Sequence, residues 1–182
     1  MSDERKKNLV LTLMPDQLPV FYPILQKGVT VSATIGCTLK SLLCDQFAIP
    51  ADYVTDRITT VFLDNRPVDD LDRTIIHDGS RVTLSAAMPG LVGATMRRGG
   101  FYAALREGIS HVVDSGSTAG ESGTVRVKLF NLLLAELGPL VLARGMILEP
   151  DELSDLPHNL PGLAEGSPAC AGRVLLRVRF NE

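Results

Sequence analysis

The sequence predicts an α+β fold in which one helix packs across a mixed sheet, followed by a mainly helical C-terminal extension that ends in a strand. Two observations carry this prediction. In the first half, segments with alternating apolar residues flank a segment with helical spacing. In the second half, the long apolar segment Leu129–Ala143 favours helix. The 182 residues, 45% hydrophobic and 21% charged, suffice to bury a core without covalent crosslinks.

Two strands are predicted before the helix. Asn8–Met14 has apolar residues on both sides of its alternation, which is typical of a central strand. Val29–Ile35 alternates apolar residues with Thr and Ser, which is typical of a strand with one solvated face.

The helix is predicted from Leu39 to Phe47. Thr38 is a suitable N-cap, because its hydroxyl can accept a hydrogen bond from an otherwise unpaired amide. Leucines and a phenylalanine then recur at helical spacing and provide one apolar face, and Pro50 is expected to end the helix. The stripe consists of Leu39, Leu42, Leu43 and Phe47.

Two further strands follow the helix. Ile58–Leu63 is rich in β-branched residues, and Arg81–Ala87 alternates again. The turn at 64–67 contains Asp and Asn, which favour tight turns, and the aspartates at 69, 70 and 72 are interpreted as a solvated acidic loop.

The stretch from Ile58 to Gly100 resembles the second half of a ubiquitin-like β-grasp domain, particularly in the ThiS/MoaD sulfur-carrier branch. The most specific motif is D-G-S-x-V-x-L at Asp78–Leu84, and the resemblance covers about residues 8–100. It implies a carrier whose terminal carboxylate is adenylated by an activating enzyme and converted to a thiocarboxylate. Carriers of this family end in Gly-Gly, because a Cβ would block the narrow channel that the tail enters.

The resemblance also implies candidate tail residues. Pro89 stands where the family has proline, and the family spacing then places Val92 and Gly93 at the diglycine, so Val92 departs from the pattern. A true diglycine, Gly99-Gly100, follows Arg97-Arg98 and is similar to the end of ubiquitin. Gly93, Gly99 and Gly100 are therefore candidate activation residues, and the two arginines are candidate partner-binding residues. The alternative is that the glycines form a flexible break before a helix.

The second half resembles no family. A helix is predicted at Phe101–Val113 and a flexible linker at Ser115–Gly123. Val125–Val127 fits either strand or helix, whereas Gly138-Pro139 is expected to kink the long helix or divide it. Arg173–Phe180 alternates as a final strand. The predicted units are residues 1–100, 101–123 and 124–182, with the last packed on the first or on another copy of the chain.

Composition and spacing favour no catalytic, metal or cofactor site. The three cysteines form no CxxC pair, the three histidines lack ligand spacing, and no nucleophile–base arrangement is visible. The net charge of −3 gives no pull toward nucleic acid, and no apolar segment reaches the roughly 20 residues that span a membrane. These observations predict a cytoplasmic, non-enzymatic protein.

The predicted function is that of a sulfur-carrier-like or ubiquitin-like protein that acts through a protein partner, after processing at the Gly-Gly tail. An adenylating enzyme is the partner that this reading implies. The alternative is a β-grasp interaction or assembly module that has lost carrier chemistry. A homo-oligomer is compatible with either.

Overall fold

A computed structural model of the chain describes residues 7–86, 90–100, 103–106, 120–163 and 172–181. Pro89 lies outside the described residues, as do most of the predicted helix Phe101–Val113 and most of the predicted linker. Within that helix only Ala103–Arg106 is described, and it forms a 3-10 turn.

The described strands form one mixed sheet in the order β1-β8-β7-β2-β6-β5-β3-β4. The pairs β1–β8 and β5–β6 are parallel, and the other pairs are antiparallel. The strands are β1 (Lys7–Leu13), β2 (Val29–Ile35), β3 (Thr60–Leu63), β4 (Arg66–Pro67), β5 (Ser80–Ser85), β6 (Glu121–Phe130), β7 (Met146–Leu148) and β8 (Val174–Phe180).

Short helices connect the strands. They are α1 (Tyr22–Lys27), α2 (Leu39–Ser41), α3 (Ala51–Asp56), α4 (Gly90–Met96), α5 (Leu133–Arg144) and α6 (Pro150–Ser154). A 3-10 turn at Pro15–Phe21 precedes α1, and a π-helical turn at Leu42–Gln46 continues α2. In the described parts of the chain, no helix is both long and apolar enough to cross a membrane.

The strand register gathers the buried side chains on one face of the sheet. Val127 of β6 pairs with Val29 on one side and with Val82 on the other, and Val82 pairs with Leu63. All four residues are fully buried. Helices α1 and α5 add their apolar residues to the same core cluster. The contribution of α5 explains why residues 133–144 are so apolar.

The prediction of a ubiquitin-like β-grasp domain with a mainly helical extension is wrong, although the α+β class is correct. In a β-grasp the first two strands pair, but here β1 lies at the far edge of the sheet beside β8. The position next to β2 is taken by β6, which lies between β2 and β5. β6 buries three side chains completely, those of Val125, Val127 and Leu129, whereas β1 alternates exposed residues with the buried Leu11 and Leu13. Strands from both sides of residue 100 therefore alternate in one sheet.

Several local predictions are confirmed and others fail. The Thr38 hydroxyl accepts a hydrogen bond from the Ser41 amide at 3.1 Å, as an N-cap should. The long helix, however, begins at Leu133, because Leu129 and Phe130 extend β6, and Pro139 lies inside it without dividing it. Helix α3 after Pro50 was not predicted; the proline there is its N-cap.

Two side chains complete the hydrogen bonding of β2 where the three-residue strand β7 stops. The Gln46 amide group donates to the Thr34 carbonyl and accepts from the Thr34 amide, both at 2.8 Å. The Arg144 guanidinium donates to the Ser32 carbonyl at 2.9 Å and to the Gln46 carbonyl at 2.6 Å. These contacts replace a strand partner and leave fewer backbone groups unpaired.

The shared core predicts that residues on both sides of residue 100 unfold together. Leu129→Ala in β6 and Leu43→Ala in the π-helical turn should each lower the free energy of unfolding by about 2–5 kcal/mol, because both leucines are fully buried. Leu132→Ala is the control, since this leucine is 59% exposed, and should change it by less than about 0.5 kcal/mol. Urea unfolding followed by circular dichroism measures the effect. Two separate transitions, each shifted by only one of the core substitutions, would contradict a common core.

Candidate functional site

The residues that the sequence singled out lie in α4 and in the turn that follows it. Gly93 is buried within α4. The neighbouring Leu91 and Val92 are 68% and 65% exposed. Arg97 is exposed and Arg98 is half-buried, so the two candidate partner-binding arginines point into different surroundings.

Arg98 ties this turn to the body of the protein. Its amide donates to the Thr59 carbonyl at 2.8 Å. Its guanidinium donates to the carbonyls of Val54 at 2.9 Å and Ile58 at 3.3 Å, at the end of α3 and just before β3. Burial lowers the pKa of Arg98, and the nearby carboxylate of Asp69 opposes that shift. Arg98 therefore holds the backbone in place and offers little of its charge to a partner.

Asp69 is the second attachment point. One carboxylate oxygen accepts a hydrogen bond from the Gly99 amide at 3.0 Å. Arg106, only 2% exposed, donates to both carboxylate oxygens, at 2.5 and 2.9 Å. Arg106 also donates to the carbonyls of Thr95 and Arg97, at 2.8 and 3.3 Å. We call Asp69, Arg98, Gly99 and Arg106 the anchor cluster.

The electrostatics of Asp69 favour the charged form. Burial alone would raise the pKa of its carboxyl group, but the hydrogen bonds from Arg106 and from the Gly99 amide outweigh burial and lower it. A two-pronged arginine–carboxylate contact of this kind combines charge with directional hydrogen bonds. The ionised carboxylate therefore holds the turn at Gly99 against the loop that carries Asp69.

The diglycine adopts a defined turn within this cluster. Gly99 has a φ of 61°, a conformation that costs other residues about 1–2 kcal/mol. The Gly100 amide donates to the Arg97 carbonyl at 3.2 Å, and a Cβ on Gly100 would lie 3.2 Å from the same oxygen. The local backbone therefore gives a structural reason for glycine at both positions.

A cavity of about 350 Å³ borders the anchor cluster. Its charged groups are largely paired: Asp70 accepts from the amides of Asp72 and Arg73, and Lys40 lies 2.8 Å from Asp72. Burial raises the pKa of the Cys44 thiol, which disfavours the nucleophilic thiolate. The lining residues are Lys40, Cys44, Ala51, Val54, Thr55, Asp69, Asp70, Leu71, Asp72 and Arg98.

Within the described residues, no group of three or more His, Cys, Asp or Glu side chains is arranged to hold a metal ion. Sequence reasoning assigned Asp69 to a solvated loop and did not single out Arg106. The pair is separated by 37 positions, and no motif or period connects the two residues. Only the position of Arg106 directly after an apolar run, FYAAL, could have suggested a buried charge that needs a partner.

Comparison of the chain with protein-family models, with curated proteins and with solved structures finds no match. The resemblance to sulfur carriers therefore stays a prediction from the sequence.

The anchor cluster predicts a pH-dependent stability. Loss of a hydrogen-bonded charge costs about 1–3 kcal/mol. Asp69→Asn should lower the free energy of unfolding at pH 7 by about 1 kcal/mol, near the lower end of that range, because the Asp69 side chain is 41% exposed and solvent screens its charge. The folded carboxyl has a pKa below the ordinary 3.8. Its contribution is therefore complete above about pH 4 and is lost as the pH falls through the folded pKa.

Unfolding of both proteins between pH 7 and pH 2 measures this contribution, and hydrogen exchange of the Gly99 amide reports the local effect. The difference between wild type and Asp69→Asn should shrink below pH 4. Asp16→Asn is a suitable control, because no hydrogen bond to the Asp16 carboxylate is seen among the described residues. An Asp69→Asn difference that persists unchanged at pH 2 would contradict a role for the charge.

Proposed function

We propose that this chain is a non-enzymatic protein-interaction module, whose internal diglycine serves the fold and whose partner binds at α4. The observation that carries the proposal is the position of β6, which begins at Glu121, well beyond Gly100. β6 pairs with both β2 and β5, so the sheet needs the chain on both sides of the diglycine.

Processing after Gly100 would have a high structural cost. It would separate three strands, β6, β7 and β8, from the residues they pair with. It would also remove Arg106, which holds Asp69. A carrier tail must be long and mobile enough to enter an activating enzyme, whereas Gly99 and Gly100 are hydrogen-bonded within a turn. These features favour the module over the processed carrier.

The surface that we assign to the partner is the outer side of α4, with Leu91, Val92 and Arg97. Two adjacent apolar side chains, each about two-thirds exposed, lose unfavourable contact with water when a partner covers them. The anchor cluster fixes the end of α4, which limits the entropy lost on binding. A partner that fits has an apolar pocket for the two side chains and a carboxylate for Arg97.

The first test separates the module from the carrier. Mass analysis of the protein isolated from its native cell should show a chain that continues through Gly93 and Gly100 into β6, because the sheet needs the residues on both sides of the diglycine. A species that ends at Gly100 or Gly93, with a thiocarboxylate, would overturn the module and support the carrier. Gly99→Ala distinguishes them further: in the module it should lower stability by about 1–2 kcal/mol, because Gly99 has a φ of 61°, whereas in the carrier it should abolish activation of the tail.

The second test locates the partner surface. A photoreactive amino acid at Leu91 should crosslink a protein partner in the native cell, whereas the same group at Leu132 should not. Leu132 is a matched control, being 59% exposed and located between β6 and α5. Val92→Glu should weaken the Leu91 crosslink about tenfold or more, since a buried carboxylate is costly. Equal crosslinking from both positions would contradict a surface at α4.

A further inference from the structure

The two edges of the sheet are protected differently. Edge strand β4 has two residues, and one of them is Pro67, which has no amide hydrogen to donate. The opposite edge strand, β1, has seven residues, contains no proline, and carries one charged side chain, that of Lys7. Among the described residues no strand pairs with its outer side. Short length, proline and charge are common protections of sheet edges, and β1 has little of any of them.

The backbone of β1 presents a regular set of free groups on that outer side. The Asn181 amide donates to the Leu13 carbonyl at 2.9 Å, so the carbonyl of Leu13 points toward β8. Backbone groups alternate direction along a strand. The amides and carbonyls of Asn8, Val10 and Thr12 therefore point outward. Their side chains are exposed as well, and Val10 is 56% exposed.

We propose that β1 pairs antiparallel with β1 of a second copy, about a two-fold axis at Val10, so that the two sheets become continuous. With Val10 opposite its own copy, Asn8 lies opposite the second Thr12. The three outward-pointing residues then all fall at hydrogen-bonded positions and make about six backbone bonds. A register centred on Leu9 or Leu11 is also an antiparallel pairing, but within Lys7–Leu13 it places only two of the three outward-pointing residues opposite each other and makes about four backbone bonds.

The side chains also fit this arrangement. Lys7 lies opposite Leu13 of the second copy, so no like charges meet, and the exposed Val10 packs on its own copy. Arg177 and Arg179 of β8 flank Val10 and Thr12. Across the axis they are three strand spacings, about 14 Å, from their counterparts, where salt screens the repulsion. An isologous interface of this kind closes as a dimer.

This inference is independent of the partner surface at α4. One seven-residue strand from each copy forms a smaller interface than the roughly 1,200–2,000 Å² that stable complexes bury. We therefore expect a dissociation constant on the order of micromolar or weaker. Sedimentation or light scattering over about 1 µM to 1 mM should show conversion of monomer to dimer, with no larger species. Val10→Lys should weaken association at least about tenfold, because two like charges then meet at the axis. The control Leu132→Lys changes an equally exposed leucine outside β1 and should associate as wild type does.

A cysteine scan tests the register itself. Val10→Cys should form an intermolecular disulfide on mild oxidation, since hydrogen-bonded antiparallel partners have Cα atoms about 5.5 Å apart. Asn8→Cys should not, because the two copies of position 8 are four residues apart along the strand and one strand spacing apart across it, about 14 Å in all. Peptide mass analysis distinguishes this bond from bonds of the native cysteines. A monomer throughout the concentration range, or crosslinking that is equal at positions 8 and 10, would overturn the proposal.

Discussion

Strand β6 is paired with β2 on one side and with β5 on the other, and the rest of the sheet depends on this placement. Three side chains of β6 are buried in the core and inaccessible to solvent: those of Val125, Val127 and Leu129. Burial of each large apolar side chain is worth about 1.5–3 kcal/mol. Because β6 comes late in the chain, this stabilisation is available only when both halves are present, and we therefore expect the fold to be cooperative across residue 100.

The anchor cluster also joins the two halves of the chain, because Asp69 precedes residue 100 and Arg106 follows it. Arg106 is almost fully buried, and a buried guanidinium without a carboxylate would be strongly destabilising. Asp69 and the carbonyls of Thr95 and Arg97 satisfy it. The segment that resembles a mobile carrier tail is thereby held by hydrogen bonds at several points. Leu91 and Val92, the exposed residues of the proposed partner surface, lie at the other end of the same helix, α4.

Backbone groups that lack a neighbouring strand occur at three places in this sheet, and each place has a different local structure. At β2, the side chains of Gln46 and Arg144 occupy positions that a strand would otherwise fill. At β4, proline and short length limit pairing. At β1, seven residues keep a regular outer edge. The positions at β2 and β4 are protected from pairing with another strand, whereas β1 is not. This difference supports β1 as the place where the sheet can be extended.

The sequence by itself determined part of the local structure, because alternation and capping act over a few residues. It predicted β2, the Thr38 cap and the inward side of β8. It also singled out Gly93 and the diglycine Gly99-Gly100, but as a carrier-like tail and without predicting the helix α4. Only the tertiary structure decided which strands are neighbours: β1 and β6 are both apolar and alternating, and their places depend on how much of each the core can bury. The same holds for Asp69 and Arg106, since a contact between residues 37 positions apart leaves no periodic trace in the sequence.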